Sequence, residues 1–94
     1  MDIDSFIASL QNEQPPEGIS PLLLSLWYDG KGNWERSHEI AQDIHSKEAA
    51  HIHAYLHRKE GDLWNADYWY RRADATRPTC SLEEEWEELV VKLL

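Results

Sequence analysis

Apolar residues recur along most of this chain at intervals of three and four, the spacing of one face of an α-helix. The first run, residues 3–11, places four apolar side chains on one face: Ile3, Phe6, Ile7 and Leu10. Residues 12–19 contain two prolines and a glycine and therefore predict a loop. No segment alternates apolar and polar residues as a strand would, so the pattern predicts an all-α fold.

Helix start and stop signals divide residues 20–78 into four helices. The first begins at Ser20-Pro21, a serine cap followed by a proline in the first turn, and stops at Asp29-Gly30. Gly61 ends the third helix, and Pro78 follows the fourth. The last three helices are predicted over residues 33–45, 47–59 and 62–74. Short connections make two hairpins of these four helices.

A last helix is predicted over residues 81–94, because Ser81 and Glu84 have the spacing of a capping box. The run Glu83-Glu84-Glu85 is interpreted as a solvated face at the start of this helix. Its apolar stripe could pair two copies of the chain across a two-fold axis if it stays exposed. That stripe consists of Leu89, Val90, Leu93 and Leu94. A homodimer is therefore one alternative.

The two hairpins look like copies of each other. Residues 26–37 align with residues 55–66, and in each copy a helical run ends at a glycine that a small residue follows five places later. A helical hairpin of this kind cannot bury its apolar stripe alone, so the two hairpins are expected to stack. The N-terminal and C-terminal helices would then cap the stack, in a single domain over 1–94 made of segments 1–19, 20–78 and 81–94.

Residues 50–78 resemble the tetratricopeptide repeat. The positions that match are Ala54, Gly61, Ala66, Tyr70, Ala73 and Pro78. The resemblance implies that Ala54 and Ala66 lie back to back, so that two helix backbones approach closely. Residues 21–45 match more weakly, with Ser37 in place of alanine.

The stretch 68–73, Tyr-Trp-Tyr-Arg-Arg-Ala, resembles the Sel1-like branch of these repeats. Together with His-Ala-Tyr-Leu-His at 53–57, it also resembles a group of short bacterial and fungal proteins of uncharacterised activity. These resemblances imply a helical-repeat fold and no particular activity.

The net charge of −9 is concentrated at the two ends of the chain. Residues 21–80 are almost balanced, whereas residues 1–20 and 81–94 are strongly acidic. Such a surface repels phosphate backbones, which argues against nucleic acid. The acidity is explained by solubility or, alternatively, by a docking face for a basic protein or peptide partner. One cysteine, Cys80, and no long apolar run predict a cytoplasmic location without membrane insertion.

Histidine is the residue type in this chain that is best suited to binding or catalysis, and there are five histidines in 94 residues. His53 and His57 are four apart and share a helix face, and His38 lies on the helix expected to pack against them. Trp34 is one turn before His38 on the same side. If the helices pair as predicted, His38 approaches His53 or His57.

Three interpretations of these histidines remain open. They are structural side chains hydrogen-bonded at a helix interface. Alternatively, His53 and His57 bind a divalent transition metal, with His38, Glu60 or Asp67 as third ligand. Otherwise His53 and His57 form, with Arg71 and Arg72, a pocket for a small anion or a peptide carboxylate, with Trp69 or Tyr70 as its wall.

The function we predict from the sequence is a protein- or peptide-interaction module without a cofactor. Its groove would be lined by His38, His53, His57, Tyr68, Trp69, Tyr70 and Arg72. The alternative is a histidine-dependent or metal-assisted enzyme built around His38, His53 and His57, with hydrolysis as the reaction class.

Overall fold

A computed structural model describes residues 1–94 and contains six α-helices and no strand. The helices are α1 Ile3–Ser9, α2 Pro21–Gly30, α3 Trp34–Gln42, α4 Lys47–Lys59, α5 Leu63–Arg72 and α6 Leu82–Leu93. The all-α prediction is confirmed. Helix α3 ends three residues earlier than predicted, because Asp43 caps it and Ile44 closes a tighter turn onto Ala41. None of the six is long and apolar enough to cross a bilayer.

Every helix begins at a polar side chain that accepts a hydrogen bond from a backbone N–H of its first turn. These caps are Asp2, Ser20, Asn33, Ser46, Asp62 and Ser81. A cap of this kind satisfies one of the N–H groups that has no partner within the helix and stabilises it by about 1 kcal/mol. Local sequence therefore sets where each helix starts.

Helices α2 and α3 form one hairpin, and α4 and α5 form a second with the same turn. Gly32 and Gly61 both have a φ of +85°, a left-handed conformation that costs glycine little because it has no Cβ. The next N–H in each hairpin, from Asn33 or Asp62, donates 2.9 Å to a carbonyl in the last turn of the preceding helix. The turns thus share one geometry.

Small residues occupy equivalent positions where the two helices of each hairpin meet. In the second hairpin, Ala54 and Ala66 are fully buried and share a cluster with Tyr70. In the first, Ser25 and Ser37 are fully buried, with their hydroxyl oxygens 3.0 Å apart. The Ser25 hydroxyl also lies 2.8 Å from the Ser37 carbonyl oxygen. Close helix approach is therefore polar in one hairpin and apolar in the other.

The main core lies between the first hairpin, α4 and the two terminal helices. Its most deeply buried members include Phe6, Leu26, Trp27, Ile52, Leu56 and Val90. Helix α6 is anchored there by Trp86, whose indole N–H donates to the Leu26 carbonyl at 3.0 Å. Leu89 and Val90 are buried in the same core, so the expectation of an exposed apolar stripe on α6 is wrong for these two residues.

A buried carboxylate also ties the two hairpins together. Asp29, at the end of α2, is only 2% exposed. Its two oxygens accept hydrogen bonds from the Tyr55 hydroxyl at 2.6 Å and from the Lys59 ammonium at 2.9 Å, both on α4. Desolvation by burial, followed by the charge of Asp29, raises the pKa of Tyr55 well above its usual value. Tyr55 therefore stays a donor.

Glu85 corrects two expectations. The sequence predicts that Glu85 lies on a solvated face. In the structure it is 1% exposed and accepts a hydrogen bond from Arg58 at 2.8 Å. The Tyr70 hydroxyl donates to the same carboxylate at 2.7 Å, and His51 lies 3.4 Å from it. Tyr70 was expected to line the candidate groove, yet its buried ring points to α6 instead. Trp64 and Tyr68 are the aromatic residues that stay exposed.

Candidate functional site

Three imidazoles converge where α3 packs on α4. His38 comes from the middle of α3, and His53 and His57 come from successive turns of α4. The Nε2 atoms of His38 and His53 are 2.9 Å apart. One ring nitrogen from each of the three histidines lies within 4.8 Å of the other two. We call these residues the histidine cluster.

Two tryptophans hold the rings of the histidine cluster in place. Trp34 stacks on His38 with ring centres 4.9 Å apart and planes 9° apart, as their spacing of one turn on α3 predicts. Trp69 of α5 stacks on His53 with centres 4.0 Å apart. The Trp34 indole N–H donates to the Leu56 carbonyl at 2.8 Å. Each indole therefore restricts the rotation of one imidazole.

The third imidazole is oriented by a carboxylate. The Nδ1 atom of His57 is 2.6 Å from Glu60, which caps the end of α4. This contact leaves the other ring nitrogen of His57 for a further partner. Glu60 is expected as a possible third ligand, and the structure places its carboxylate against Nδ1 of His57. Asp67, the other acidic candidate, instead pairs with Arg77 at 3.2 Å.

The environment favours neutral imidazoles. His53 is only 6% exposed. Burial, aided by the neighbouring His38 and His57, lowers the pKa of His53 to about 4. Burial and the charge of His57 also lower the pKa of His38 below its ordinary value, with Glu60 and Glu39 opposing. At neutral pH both rings therefore keep a lone pair for a hydrogen bond or a metal ion.

A cleft of about 450 Å³ opens beside the histidine cluster. It lies between the end of α3, the first turns of α4 and the C-terminal half of α5. His53, Trp69 and Arg72 line it. The Arg72 guanidinium lies 5.3 Å from the Trp69 ring centre and 3.3 Å from the Tyr68 hydroxyl. Four of the seven predicted groove residues line this cleft, namely His53, Tyr68, Trp69 and Arg72. His38 and His57 contact His53 behind the lining, and the Tyr70 hydroxyl contacts Glu85 instead.

Sequence reasoning named most of the aromatic and histidine residues of this site but missed the role of Glu60. The signal was present, because a histidine and a glutamate three apart at the end of a helix lie on the same side. No family model matches the chain, and no curated protein or solved structure matches it either. Its function must be argued from its own geometry.

Proposed function

We propose that this chain binds a divalent transition metal ion, with zinc as the best match, through His38, His53 and His57. The observation that carries the proposal is the convergence of three imidazole nitrogens within 4.8 Å. Nitrogens that coordinate one zinc ion tetrahedrally lie about 3.3 Å apart, given zinc–nitrogen bonds of about 2.0–2.1 Å. The spacing in the cluster brackets that value, so small ring rotations bring the nitrogens to it. The proton shared between the Nε2 atoms of His38 and His53 must also leave or move to another ring nitrogen.

The donor set supports a transition metal over calcium or magnesium. Imidazole nitrogen suits zinc, copper, nickel and iron, whereas calcium and magnesium prefer oxygen ligands. Metal binding needs neutral imidazoles, and burial of His53 favours that form.

The surroundings of the cluster support pre-organisation. Histidine ligands in metal sites usually donate their second ring N–H to a carboxylate or carbonyl, which fixes the ring and makes it a better ligand. Glu60 is placed to do this for His57. Trp34 and Trp69 restrain the other two rings by stacking. A site of this kind needs little rearrangement on binding.

Three protein ligands are typical of a zinc site that keeps one position open, whereas structural zinc sites usually have four. A zinc ion held this way supplies a Lewis acid with a free coordination position. The cleft beside His53 has room for a ligand there. This favours the metal-assisted enzyme among the functions expected from the sequence.

The test is metal titration of protein purified without a histidine tag, stripped with a chelator and then freed of it. We expect one equivalent of zinc to bind, measured by calorimetry and by competition with a chromophoric indicator. His38→Gln should weaken binding by more than about tenfold, because loss of a group that only orients a ligand already costs about that much. His53→Asn is a second variant that should also weaken zinc binding. It removes an imidazole that is more deeply buried than that of His38.

The matched control is His45→Gln, which removes an exposed histidine outside the cluster. Its zinc affinity should equal that of the wild type. Failure to bind a stoichiometric equivalent of zinc, nickel or copper would contradict the proposal. Equal weakening by His45→Gln and His38→Gln would do the same, since it would indicate adventitious histidine binding.

A protein- or peptide-interaction role is the second candidate, and the observation that favours it is an exposed apolar face on α5. Trp64 is 78% exposed, and Leu63 and Tyr68 beside it are also exposed. Large apolar residues grouped on a surface often mark a contact site. Affinity capture with wild type and Trp64→Ala tests this role: a partner lost only with the variant supports it, and identical captured sets contradict it.

A further inference from the structure

We propose that the cleft beside the histidine cluster binds a small organic carboxylate whose apolar part lies between Trp69 and the buried Ala49 and Ala50. The cleft measures about 450 Å³, which is within the range of small-molecule sites. The inference goes beyond metal binding, because it rests on the charge and shape of the cleft and not on an ion in the histidine cluster.

The charge of the cleft is the reverse of the charge of the chain. The chain has 18 acidic residues and a net charge of −9. None of the twelve residues that line the cleft is acidic, and two of them, Lys47 and Arg72, are permanent cations. This contrast makes the cleft a favourable place for an anion, because the acidic residues that would repel one lie elsewhere on the chain.

Only one of these two cations lacks a carboxylate partner. Lys47 contacts Asp74 in an exposed ion pair, which partly offsets its charge. Arg72 has no carboxylate partner, and its guanidinium contacts only the Tyr68 hydroxyl and the Tyr68 and Trp69 rings. The cleft therefore offers one guanidinium without an acidic partner, which suits a monoanion better than a phosphate monoester.

The position of Arg72 suits a carboxylate. Stacking of a guanidinium against aromatic rings leaves its N–H edge available, and that edge matches the two oxygens of a carboxylate. Trp69 supplies an apolar wall next to this edge, and the buried Ala49 and Ala50 of α4 supply another. A ring or short hydrocarbon attached to the carboxylate would be desolvated between these walls.

The ligand has two possible sources, a free carboxylic acid or the C-terminus of a peptide. The probes are phenylacetate for the first and N-acetylphenylalanine for the second, with their neutral amides as references. Each is titrated into ¹⁵N-labelled protein in a carboxylate-free buffer, after removal of metal and chelator. Binding to the metal-free protein separates this inference from the metal proposal, since either one can fail alone.

We expect at least one of the two acids to shift the amide signals of Ala49 and Ala50 and the indole signal of Trp69 saturably. The neutral amides should not. The acid that binds more tightly identifies the source. Arg72→Gln should weaken binding at least tenfold, whereas Arg71→Gln, an exposed neighbour outside the cleft, should change it less than twofold.

Three results would overturn the inference. The first is the absence of saturable shifts with both acids. The second is equal weakening by Arg71→Gln and Arg72→Gln, because the attraction would then be diffuse. The third is tighter binding of phenyl phosphate than of phenylacetate, because the cleft would then select a dianion.

Discussion

Each imidazole of the histidine cluster has one neighbour that fixes its orientation. His38 lies against Trp34, His53 lies against Trp69, and His57 contacts Glu60. The first two neighbours act by shape and the third by charge and hydrogen bonding. Removing the carboxylate should therefore alter the properties of His57 as a ligand without opening a cavity in the core.

We predict that Glu60→Gln weakens zinc binding about tenfold or more, as loss of a carboxylate that orients a histidine ligand does. The glutamine amide can still contact Nδ1, but it carries no charge to polarise the ring. Competition with a chromophoric indicator measures the affinity. Glu48→Gln is the control, because Glu48 is exposed on the same helix and has no side-chain partner among the cluster. Unchanged affinity in Glu60→Gln would show that the carboxylate plays no part.

At the scale of the elements, the two hairpins bring their helices close together with different small residues. Both place small residues where their helices cross. Ser25 and Ser37 add a buried hydrogen bond there, whereas Ala54 and Ala66 add none. A buried hydroxyl that loses its partner is costly, but replacing both partners by apolar groups can be nearly neutral.

We predict that Ser25→Ala alone lowers the free energy of unfolding by about 1 kcal/mol. The double variant Ser25→Ala/Ser37→Ala should lose less than the sum of the two single variants, because it converts the first hairpin to the alanine pairing of the second. Urea unfolding of all four proteins measures the coupling. Strict additivity would mean that the two hydroxyls do not interact.

Local elements were predictable from the sequence, and long-range placements were not. The caps at Ser20 and Asp62 and the turn at Gly61 depend on residues within one helical turn, so spacing alone predicted them. The meeting of His38 with His53 followed from pairing adjacent helices. The burial of Glu85 depends on where α6 docks after residues far away in the chain have folded, and no local pattern encodes that position.

At the scale of the whole molecule, α6 closes the bundle through a buried ion pair. Arg58, Tyr70 and His51 from the second hairpin face the Glu85 carboxylate. Burial by itself raises the pKa of Glu85, but the hydrogen bonds from His51, Tyr70 and Arg58 outweigh it, so the pKa is lower than its ordinary value of 4.5. The ionised form therefore stabilises the folded state.

We predict that Glu85→Gln lowers the free energy of unfolding at pH 7 by about 2 kcal/mol, the scale of a hydrogen bond to a charged group. Because the folded pKa lies below the unfolded one, the contribution of Glu85 is fully present above pH 4.5 and is lost as the pH falls through the folded value. The difference in free energy of unfolding between the wild type and Glu85→Gln should therefore become smaller at acid pH.

Chemical denaturation across pH 7 to 3 measures that difference. Glu87→Gln is the matched control, since it removes one charge from an exposed position on the same helix. Its stability should run parallel to the wild type at every pH. A difference for Glu85→Gln that stays constant into acid would mean that the carboxylate does not titrate differently in the folded chain.

The five tryptophans occupy unlike environments, and this gives the protein a built-in optical signal. Trp27 and Trp86 are buried, Trp64 is exposed to water, and Trp34 and Trp69 lie against imidazoles. Copper and nickel quench indole emission at short range. A copper or nickel ion bound by the histidine cluster should therefore quench the emission of Trp34 and Trp69 and leave that of Trp64 unchanged. Acrylamide in the solvent should instead quench Trp64 and leave Trp34 and Trp69 unchanged. The two quenching patterns therefore distinguish metal occupancy from unfolding.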